Sequence, residues 1–190
     1  MTELHVVTGA GPVGWTVAEQ LAAQGRSVRV LTRSGSGPEH PMIERRAVDI
    51  ESDDLRPHLD GATAVYHCTH VAYENSVWRS KLVAMENRVL DAAAGTVVAF
   101  PESLYAYGRV DGPIREDSPR DATFRKLGVR TELLAARDAH ATPTVSVAAS
   151  DFYGSRVLTS HMGERVIAPI LAGKPIRVIA SADLPHSFTY

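Results

Sequence analysis

Three glycines near the start of the chain have the spacing of a loop that binds the phosphates of a nucleotide. Gly9, Gly11 and Gly14 match the pattern G-x-G-x-x-G. The first allows a tight turn, the second lets a pyrophosphate approach the backbone, and the third lets a helix pack closely against a strand. Pro12 removes one N–H donor, so Val13 and its neighbours must supply the contacts to the anion. The pattern predicts a dinucleotide-binding turn, and a structural turn without a ligand is the alternative.

A basic residue stands where proteins that bind NAD usually carry an acidic one. The acidic side chain would bind the 2′-hydroxyl of the adenosine ribose at the end of the second strand. This chain has Arg33 there, followed by Ser34. A guanidinium binds a 2′-phosphate through paired hydrogen bonds, and a hydroxyl adds another donor. We therefore expect NADP(H) as the cofactor, with NAD as the second candidate. The alternative is that Arg33 is an ordinary solvated arginine.

Two other patterns in the chain suggest chemistry but do not support it. His67 and His70 have the H-x-x-H spacing of a metal pair. Residues three apart in a strand point to opposite faces, and no third ligand is placed nearby, so we expect no metal site. A Ser/His/Asp hydrolase would carry its serine in a G-x-S-x-G turn. Ser103 has no such turn around it, and a hydrolase of that kind is not indicated.

The elements that must position these residues alternate along the chain. Short β-branched and apolar runs are followed by stretches in which apolar residues recur at helical spacing. This order predicts an α/β Rossmann fold, a doubly wound parallel sheet with helices on both faces. We expect strands at residues 4–8, 27–31, 46–50, 62–69, 96–100 and 144–148. We expect long helices at about 13–24, 75–94, 127–139 and 160–172, and a short helix that begins after a cap at Ser52.

Composition sets limits on the class of protein. The chain has 190 residues, of which 44% are hydrophobic, so a single globular domain is expected. Twenty Lys and Arg oppose 22 Asp and Glu without a block of like charge, so we expect neither a nucleic-acid nor a membrane partner. The first residues resemble neither a leader nor a membrane span. The lone Cys68 agrees with a reducing compartment, and a cytoplasmic location is expected.

These features, with further segments, resemble a known family over nearly the whole chain. The sequence is similar to the extended or atypical branch of the short-chain dehydrogenase/reductases, the NAD-dependent epimerase/dehydratase group. Residues 8–14, T-G-A-G-P-V-G, are similar to its glycine motif but one residue shorter than T-G-x-x-G-x-x-G, which favours an atypical subgroup. Asp49 and Ile50 resemble the pair that contacts adenine. The resemblance implies an NAD(P)-binding Rossmann domain of an oxidoreductase or epimerase.

Two further segments extend the resemblance to the cofactor cleft and the catalytic serine. Cys68, Thr69 and His70 lie in Y-H-C-T-H-V-A, which is similar to the family stretch Y-H-x-A-A that lines the cofactor. Residues 100–108, F-P-E-S-L-Y-A-Y-G, resemble the family segment S-S-x-x-V-Y-G, and Ser103 falls on its catalytic serine. The resemblance thus implies that Ser103 polarises the substrate oxygen.

The family's acid–base pair is missing from this chain. In Y-x-x-x-K the lysine lowers the tyrosine pKa, so that the phenol can exchange a proton with the substrate. The comparison puts Phe124 at the tyrosine position and Gly128 at the lysine position, while Lys126 is two residues out of register. Tyr105 and Tyr107 follow Ser103 closely enough to serve as substitute donors, and simple packing of both rings is the alternative.

The end of the chain resembles the beginning of another part of the family fold. Residues 150–154, S-D-F-Y-G, resemble the family segment that passes the nicotinamide, and residues 185–190, P-H-S-F-T-Y, resemble the segment that leads into the substrate-binding subdomain. We therefore expect residues 1–190 to form the NAD(P)-binding domain, with residues 151–190 entering a substrate-binding subdomain that is truncated.

Two functional hypotheses follow from these residues. The first is an NADP(H)-preferring oxidoreductase or epimerase-like enzyme that acts on a small carbonyl, hydroxyl or sugar-nucleotide substrate. The second is a catalytically silent NADP(H)-binding sensor or regulatory protein, which the replacement of the acid–base pair by Phe124 and Gly128 favours. In both, the partner is a small molecule, and a homodimer is an assembly to be tested.

Overall fold

The computed structural model describes residues 3–157, 159–177, 181 and 183–190. The chain divides into two compact units, one extending to Val147 and the other from Ala148 to Tyr190. The larger unit contains every residue for which a role in cofactor binding or catalysis is predicted.

A six-stranded sheet forms the centre of the larger unit. The strand order is β3-β2-β1-β4-β5-β6, and the described pairings of β1 with β2 and β4, of β2 with β3, and of β4 with β5 are all parallel. Strands β2 and β3 lie on one side of β1, and strands β4 to β6 lie on the other, so β1 marks the point where the strand order reverses. In such folds, ligands bind at this point, beyond the carboxyl ends of the strands. The strands are β1 Leu4–Thr8, β2 Ser27–Thr32, β3 Ile43–Ala47, β4 Ala62–His67, β5 Val97–Ser103 and β6 Thr144–Ala149.

Helices cover the sheet and complete the predicted Rossmann fold. Neighbouring residues of β1 contribute to different clusters of buried apolar side chains, because successive residues of a strand point to opposite faces. Val6 lies in a cluster with residues of α4 and α5, and Val7 lies in a cluster with residues of α1. The helical elements are α1 Pro12–Ala23, α2 Arg56–Leu59, α3 Asn75–Val77, a π-helical segment Trp78–Leu82, α4 Val83–Ala92, a 3₁₀ turn Leu104–Tyr107 and α5 Arg125–Ala139.

The smaller unit contains short elements. Strands β7 (Asp151–Phe152) and β8 (Phe188–Thr189) pair in parallel, and the Tyr153 N–H donates to the Thr189 carbonyl at 3.0 Å. A π-helical segment, Gly163–Ile167, runs into α6, Ala168–Leu171. The helix expected at 160–172 is therefore present but irregular.

Two element predictions near the edge of the sheet are wrong. The third strand was expected at residues 46–50 but is Ile43–Ala47, an edge strand rich in charged side chains. Val48 and Ile50, whose apolar character suggested a strand, are buried in the loop that follows. The short helix begins at Arg56 instead of just after Ser52, because Ser52 and Asp53 donate their N–H groups to Asp49 in a turn that ends before the helix.

Smaller differences concern the ends and regularity of elements. Strand β4 ends at His67, so the last two residues expected in it belong to a loop. The long helix expected at residues 75–94 extends over 75–92 and widens into a π-helical turn at Trp78–Leu82. Within the described part of the chain, no helix has the length and apolar character needed to cross a membrane.

Candidate functional site

The glycine turn between β1 and α1 has little space for side chains. Gly9 has a φ of 83°, and its N–H donates to the Leu31 carbonyl at 2.8 Å. A Cβ at Gly9 would lie 2.8 Å from the backbone nitrogen of Thr69, and one at Gly14 would lie 2.0 Å from the Gly9 carbonyl oxygen. A Cβ at Gly11 would meet no atom of the described residues within 4 Å. The first and third glycines are thus required by the fold, whereas the second leaves open space.

The start of helix α1 is available to an anion. Gly11 is the N-cap residue and Pro12 lies in the first turn. Among the described side chains none caps this end by a hydrogen bond. The first N–H groups of a helix have no partner within it and carry partial positive charge, so the backbone near Val13 and Gly14 can donate to a phosphate.

A cavity of about 390 Å³ lies next to the glycine turn, at the carboxyl ends of the central strands. Its wall combines residues from five separate segments of the chain. Half of the twelve residues predicted to hold the cofactor line it, namely Gly9, Arg33, Asp49, Ile50, Thr69 and His70. Val71 and Ala72, the last residues of the Y-H-C-T-H-V-A stretch, also line it. So do Val77, Lys81 and Met85, for which the sequence predicts no contact with the cofactor. The sequence indicates such lining residues only indirectly. They stand next to predicted cofactor residues or on one face of a predicted helix.

The other predicted cofactor residues lie beside the cavity. Gly11, Pro12, Val13 and Gly14 form the start of α1. The Ser34 hydroxyl donates to the Ser36 hydroxyl at 2.9 Å. Cys68 packs against the apolar side of α1, and burial raises the pKa of its thiol to about 12. Cys68 therefore provides packing beneath the turn, and its thiol is inert at neutral pH.

Arg33 provides a cation that no acidic group neutralises. Its side chain is exposed at the cavity wall. Within the described part of the chain, the guanidinium has neither a hydrogen-bond acceptor nor an ion-pair partner. An unpaired guanidinium at a concave site is suited to bind an anion.

The loop after β3 is held in a fixed conformation. The Asp49 N–H donates to Asp53 Oδ2 at 2.9 Å. From helix α4, Arg88 Nε donates to the Ile50 carbonyl at 2.9 Å and its Nη2 donates to the Asp53 carbonyl at 2.6 Å. Arg88 therefore holds Ile50 directly, and it holds Asp49 only through Asp53, so that the two residues that resemble the adenine-contacting pair stay at the cavity wall.

The floor of the cavity carries a polar atom without a partner. Thr69 Oγ1 is buried and has no hydrogen bond in the described structure. Beneath it, the Thr8 hydroxyl and His67 Nδ1 are 2.7 Å apart, and burial lowers the pKa of His67 to about 3. A buried hydroxyl without a partner is costly, so Thr69 fits a site in which a polar ligand supplies the missing hydrogen bond.

Ser103 lies at the end of β5 and contacts a buried carboxylate. Its N–H donates to Glu102 Oε1 at 2.7 Å, and its hydroxyl lies 3.3 Å from the same atom. Ser103 Oγ in turn accepts from the Tyr105 N–H at 3.5 Å. The serine hydroxyl is therefore oriented by Glu102 on one side and by the following turn on the other.

Glu102 belongs to a buried cluster of charged side chains. Arg137 donates twice to Glu86, at 2.7 Å each, and once to Glu102 at 2.8 Å. Its guanidinium also lies 3.9 Å from the centre of the Phe100 ring. The sequence carries no local signal for this cluster, because its residues are far apart in the chain and resemble ordinary surface charges.

Aromatic rings and a lysine lie near the turn that follows Ser103, and none of these residues lines the described cavity. The hydroxyl groups of Tyr73 and Tyr105 contact each other. Lys126 Nζ lies 3.3 Å from the centre of the Tyr73 ring and donates to the Tyr73 carbonyl at 2.7 Å. Burial of Lys126 lowers its pKa, and the Glu74 charge opposes this. Tyr107 lies half-buried in the same 3₁₀ turn as Tyr105. The Tyr105 hydroxyl thus contacts a second phenol, that of Tyr73, and Lys126 lies over the ring of this second phenol.

The positions of the missing acid–base pair have another structural role. Phe124 is 66% exposed and precedes α5. A Cβ at Gly128 would lie 2.4 Å from the Thr123 carbonyl oxygen, so this backbone excludes a lysine there. Arg125 between them has a φ of 48°. The beginning of α5 is therefore built without the tyrosine and lysine.

Metal chemistry has no evident site in the described residues. They include no group of three or more His, Cys, Asp or Glu side chains that could hold a metal ion. His67 has its Nδ1 on Thr8, whereas His70 lines the cavity.

The chain is similar to known proteins in sequence and in fold. A family model described as the NAD dependent epimerase/dehydratase family matches residues 5–190. Among curated protein sequences, none matches the chain significantly. The structure is similar to that of the Bordetella bronchiseptica enzyme WbmG in complex with NAD, with a TM-score of 0.76 and 22% identity over 92% of this chain. This chain covers 61% of WbmG.

Two further structures have the same fold. UDP-glucuronic acid 4-epimerase from Bacillus cereus, in complex with UDP-glucuronic acid and NAD, has a TM-score of 0.81 and 19% identity; 98% of this chain and 69% of that chain are covered. A short-chain dehydrogenase/reductase superfamily protein from Agrobacterium tumefaciens, with bound NAD, has a TM-score of 0.65 and 26% identity; the covered shares are 86% and 54%.

Proposed function

This chain belongs to the NAD dependent epimerase/dehydratase family, and from that premise we propose that it binds a nicotinamide dinucleotide and catalyses hydride transfer. The resemblance noted in the sequence is confirmed by the family match. The cavity of about 390 Å³ beside the glycine turn, with the unpaired Arg33 on its wall, is the observation that carries the proposal.

The residues present fit such a cofactor. The start of α1, from Gly11 to Gly14, would bind the pyrophosphate, because its N–H groups are free and Gly11 leaves space. Asp49 and Ile50, held by Arg88, would contact the adenine. The buried hydroxyl of Thr69 would find its missing partner on the cofactor.

We propose a preference for NADP(H) over NAD(H). Arg33 offers a charged fork to a 2′-phosphate, and Ser34 beside it offers a hydroxyl. An acidic side chain, which would bind the ribose 2′-hydroxyl and repel a phosphate, is absent from this position. The named relatives were solved with NAD, so NAD(H) is the competing cofactor in every test below.

The nicotinamide, when bound, supplies the hydride acceptor or donor. The chain's own residues would then bind the substrate oxygen and move its proton. Ser103 would turn its hydroxyl from Glu102 towards the substrate oxygen, since the 3.3 Å separation between Ser103 and Glu102 allows exchange of partner. Tyr105 would exchange the proton, with Tyr107 as the second candidate. The contact of Tyr105 with the Tyr73 hydroxyl, close to Lys126, favours Tyr105.

The substrate we propose is a small molecule with a carbonyl or hydroxyl group, or a sugar nucleotide. Two of the similar structures carry uridine nucleotides, namely WbmG with UDP and the Bacillus cereus epimerase with UDP-glucuronic acid. Residues 151–190 would begin the part that selects the substrate. We further propose a cytoplasmic protein, in line with the lone Cys68, and a homodimer as the assembly to test by light scattering.

A calorimetric titration of the protein with NADP⁺ and with NAD⁺ tests the cofactor assignment. The expected result is saturable binding of both, with NADP⁺ at least about tenfold tighter, the value of one charge-assisted contact. Absence of binding by either nucleotide would refute the function. A survey of alcohols, carbonyl compounds and UDP-sugars, followed at the absorbance of the reduced nicotinamide, then tests turnover.

A second function is favoured by one observation. Phe124 is mostly exposed to solvent, and the backbone at Gly128 has no room for a lysine side chain. The structure at these two positions therefore differs from that of the usual tyrosine–lysine pair, as the sequence does. A catalytically silent NADP(H)-binding sensor would show tight nucleotide binding without turnover of any compound in the survey. Turnover abolished by Ser103→Ala would exclude it.

A further inference from the structure

Arg130 of α5 is a buried cation between the nucleotide cavity and the catalytic serine. Only 6% of the residue is exposed. Its Nη2 lies 2.8 Å from Nε2 of His70, which lines the cavity. Its Nε lies 3.5 Å from Oε1 of Glu102, the atom that accepts the N–H of Ser103. The guanidinium also lies 4.7 Å from the centre of the buried Trp78 ring.

The hydrogen bonds of His70 define one protonation state. Its Nδ1 lies 2.8 Å from the Val71 carbonyl, which can only accept, so Nδ1 carries the proton. Its Nε2 faces Arg130, which can only donate, so Nε2 is unprotonated. The ring is therefore neutral, with both nitrogens in use.

The charges around His70 agree with this state. Burial lowers the pKa of His70, and the Arg130 and Lys126 charges on α5 lower it further. The hydrogen bond to the Val71 carbonyl and the Glu102 charge on β5 oppose the shift. The net direction is downward, which keeps His70 neutral at physiological pH.

The same guanidinium supports Glu102. This carboxylate has Arg137 on Oε2 at 2.8 Å, and Arg130 and the Ser103 N–H on Oε1. Arg137 thus holds the buried carboxylate by a hydrogen bond, and Arg130 adds an ion-pair contact, without a hydrogen bond from its Nε in the described structure, on the oxygen that faces Ser103. Loss of Arg130 would leave Oε1 with the serine alone and a buried charge less well compensated.

We propose that Arg130 is a positioning residue that couples the wall of the nucleotide cavity to Ser103. It fixes His70 as a rigid, neutral wall through one end of its guanidinium, and it holds Glu102 against Ser103 through the other. Arg130 is thus a cation that α5 supplies between His70 and Glu102, two residues beyond the glycine that replaces the family's lysine. The proposal rests on the proposed function for its role in catalysis, but its geometry can be tested without a nucleotide.

The test is nitrogen-15 histidine NMR on the full chain without nucleotide, for the wild type, Arg130→Gln and the control Arg79→Gln. Arg79 forms a half-exposed ion pair with Glu132, so its loss removes an arginine charge without touching the site. The wild type should show His70 with a protonated Nδ1 and an unprotonated Nε2. In Arg130→Gln the His70 pKa should rise and the Ser103 amide proton should move upfield, whereas Arg79→Gln should leave both unchanged.

Two outcomes would overturn the coupling. A wild-type His70 protonated on Nε2 contradicts it without any variant, which covers the case in which Arg130→Gln does not fold. Unchanged His70 and Ser103 signals in a folded Arg130→Gln contradict it as well. Arg130→Lys keeps the charge with a single point donor, so it should restore the low His70 pKa but not the Ser103 signal.

Nucleotide titrations separate this proposal from the proposed function. If the wild type binds neither NADP⁺ nor NAD⁺, the proposed function is refuted. The His70 and Ser103 NMR signals still test whether Arg130 couples the cavity wall to Ser103. If the wild type binds, Arg130→Gln should weaken NADP⁺ about tenfold or more, as expected when a charged hydrogen bond that fixes the cavity wall is removed. If Arg130→Gln binds NADP⁺ as tightly as the wild type but has altered NMR signals, Arg130 acts only on Ser103. That result would overturn the proposed coupling to the cavity wall.

Discussion

A Cβ placed on Gly14 would lie 2.0 Å from the carbonyl oxygen of Gly9, so helix α1 and strand β1 can approach each other only because position 14 has no side chain. Gly11, three residues earlier in the same turn, has no such neighbour among the described residues. The two glycines of one motif therefore differ: Gly14 is required by the fold, whereas Gly11 leaves open space at the start of α1.

This difference gives the first prediction. Gly11→Val should keep the fold and abolish nucleotide binding, because its side chain would occupy the space next to the free N–H groups of α1. Gly14→Ala should instead lower the free energy of unfolding, since its Cβ meets backbone atoms. Denaturant unfolding and calorimetry on both variants test the pair. Retained binding in Gly11→Val would show that the nucleotide lies elsewhere.

The second prediction concerns the choice between the two nucleotides. Arg33→Asp should weaken NADP⁺ binding by about tenfold or more, because it replaces a charge-assisted contact with repulsion. NAD⁺ binding should change much less. Arg56→Asp is the matched control, since Arg56 is exposed at 81% of its side chain and does not line the cavity. Equal affinity of the wild type for both nucleotides would refute the preference.

Local sequence patterns explain why several of the residues predicted to bind the cofactor lie together on the cavity wall. Gly9, Arg33 and Thr69 follow strands β1, β2 and β4, and the carboxyl ends of neighbouring parallel strands meet at one edge, so local patterns were enough. The error in β3 has the opposite cause. Val48 and Ile50 are apolar because a loop buries them, and a short apolar run does not reveal whether a strand or a loop is buried.

The charged cluster beneath Ser103 could not be predicted. Glu86, Arg130 and Arg137 lie on helices, where single charged residues usually face solvent, and Glu102 pairs with arginines 28 and 35 residues away. Only the packing of α4 and α5 against β5 brings these side chains together. Their pairing is a property of the tertiary structure, without a local signal.

The third prediction tests this cluster. Arg137→Met should destabilise the protein by about 3–5 kcal/mol, because it leaves the buried Glu86 and Glu102 carboxylates without their main partner. Arg79→Met, which breaks the half-exposed pair with Glu132, should cost less than about 1 kcal/mol. Urea unfolding of both variants provides the comparison. Similar losses in both would show that Arg137 is not a buried support.

The fourth prediction is a dependence of stability on pH. Burial lowers the pKa of His67 to about 3 from an ordinary value of 6.5. Below pH 6.5 the unfolded chain therefore binds a proton that the folded protein does not, and the free energy of unfolding falls as the pH falls from 6.5 towards 3. At pH 5 the loss from His67 is about 2 kcal/mol.

The variant His67→Gln should remove this part of the dependence while keeping a polar group near Thr8. His140→Gln, on a residue whose ring is far less buried, serves as the control and should retain the wild-type slope. Unfolding measured from pH 7 to pH 5 gives the three slopes. A His67→Gln slope equal to that of the wild type would mean that His67 is protonated in the folded protein.

The fifth prediction assigns the catalytic steps. Ser103→Ala should lower kcat by about 10²-fold, in line with the removal of one positioned hydrogen-bond donor, with little change in nucleotide affinity. Tyr105→Phe should also lower kcat, because it removes the hydroxyl that contacts Tyr73, and it should do so more than Tyr107→Phe. The control is Ser80→Ala, on an exposed serine of the π-helical segment.

Turnover is measured at the absorbance of the reduced nicotinamide, on the first alcohol, carbonyl or UDP-sugar that responds. Full activity in Ser103→Ala would refute the proposed role of Ser103. A larger loss of kcat in Tyr107→Phe than in Tyr105→Phe would assign the proton transfer to Tyr107 instead of Tyr105.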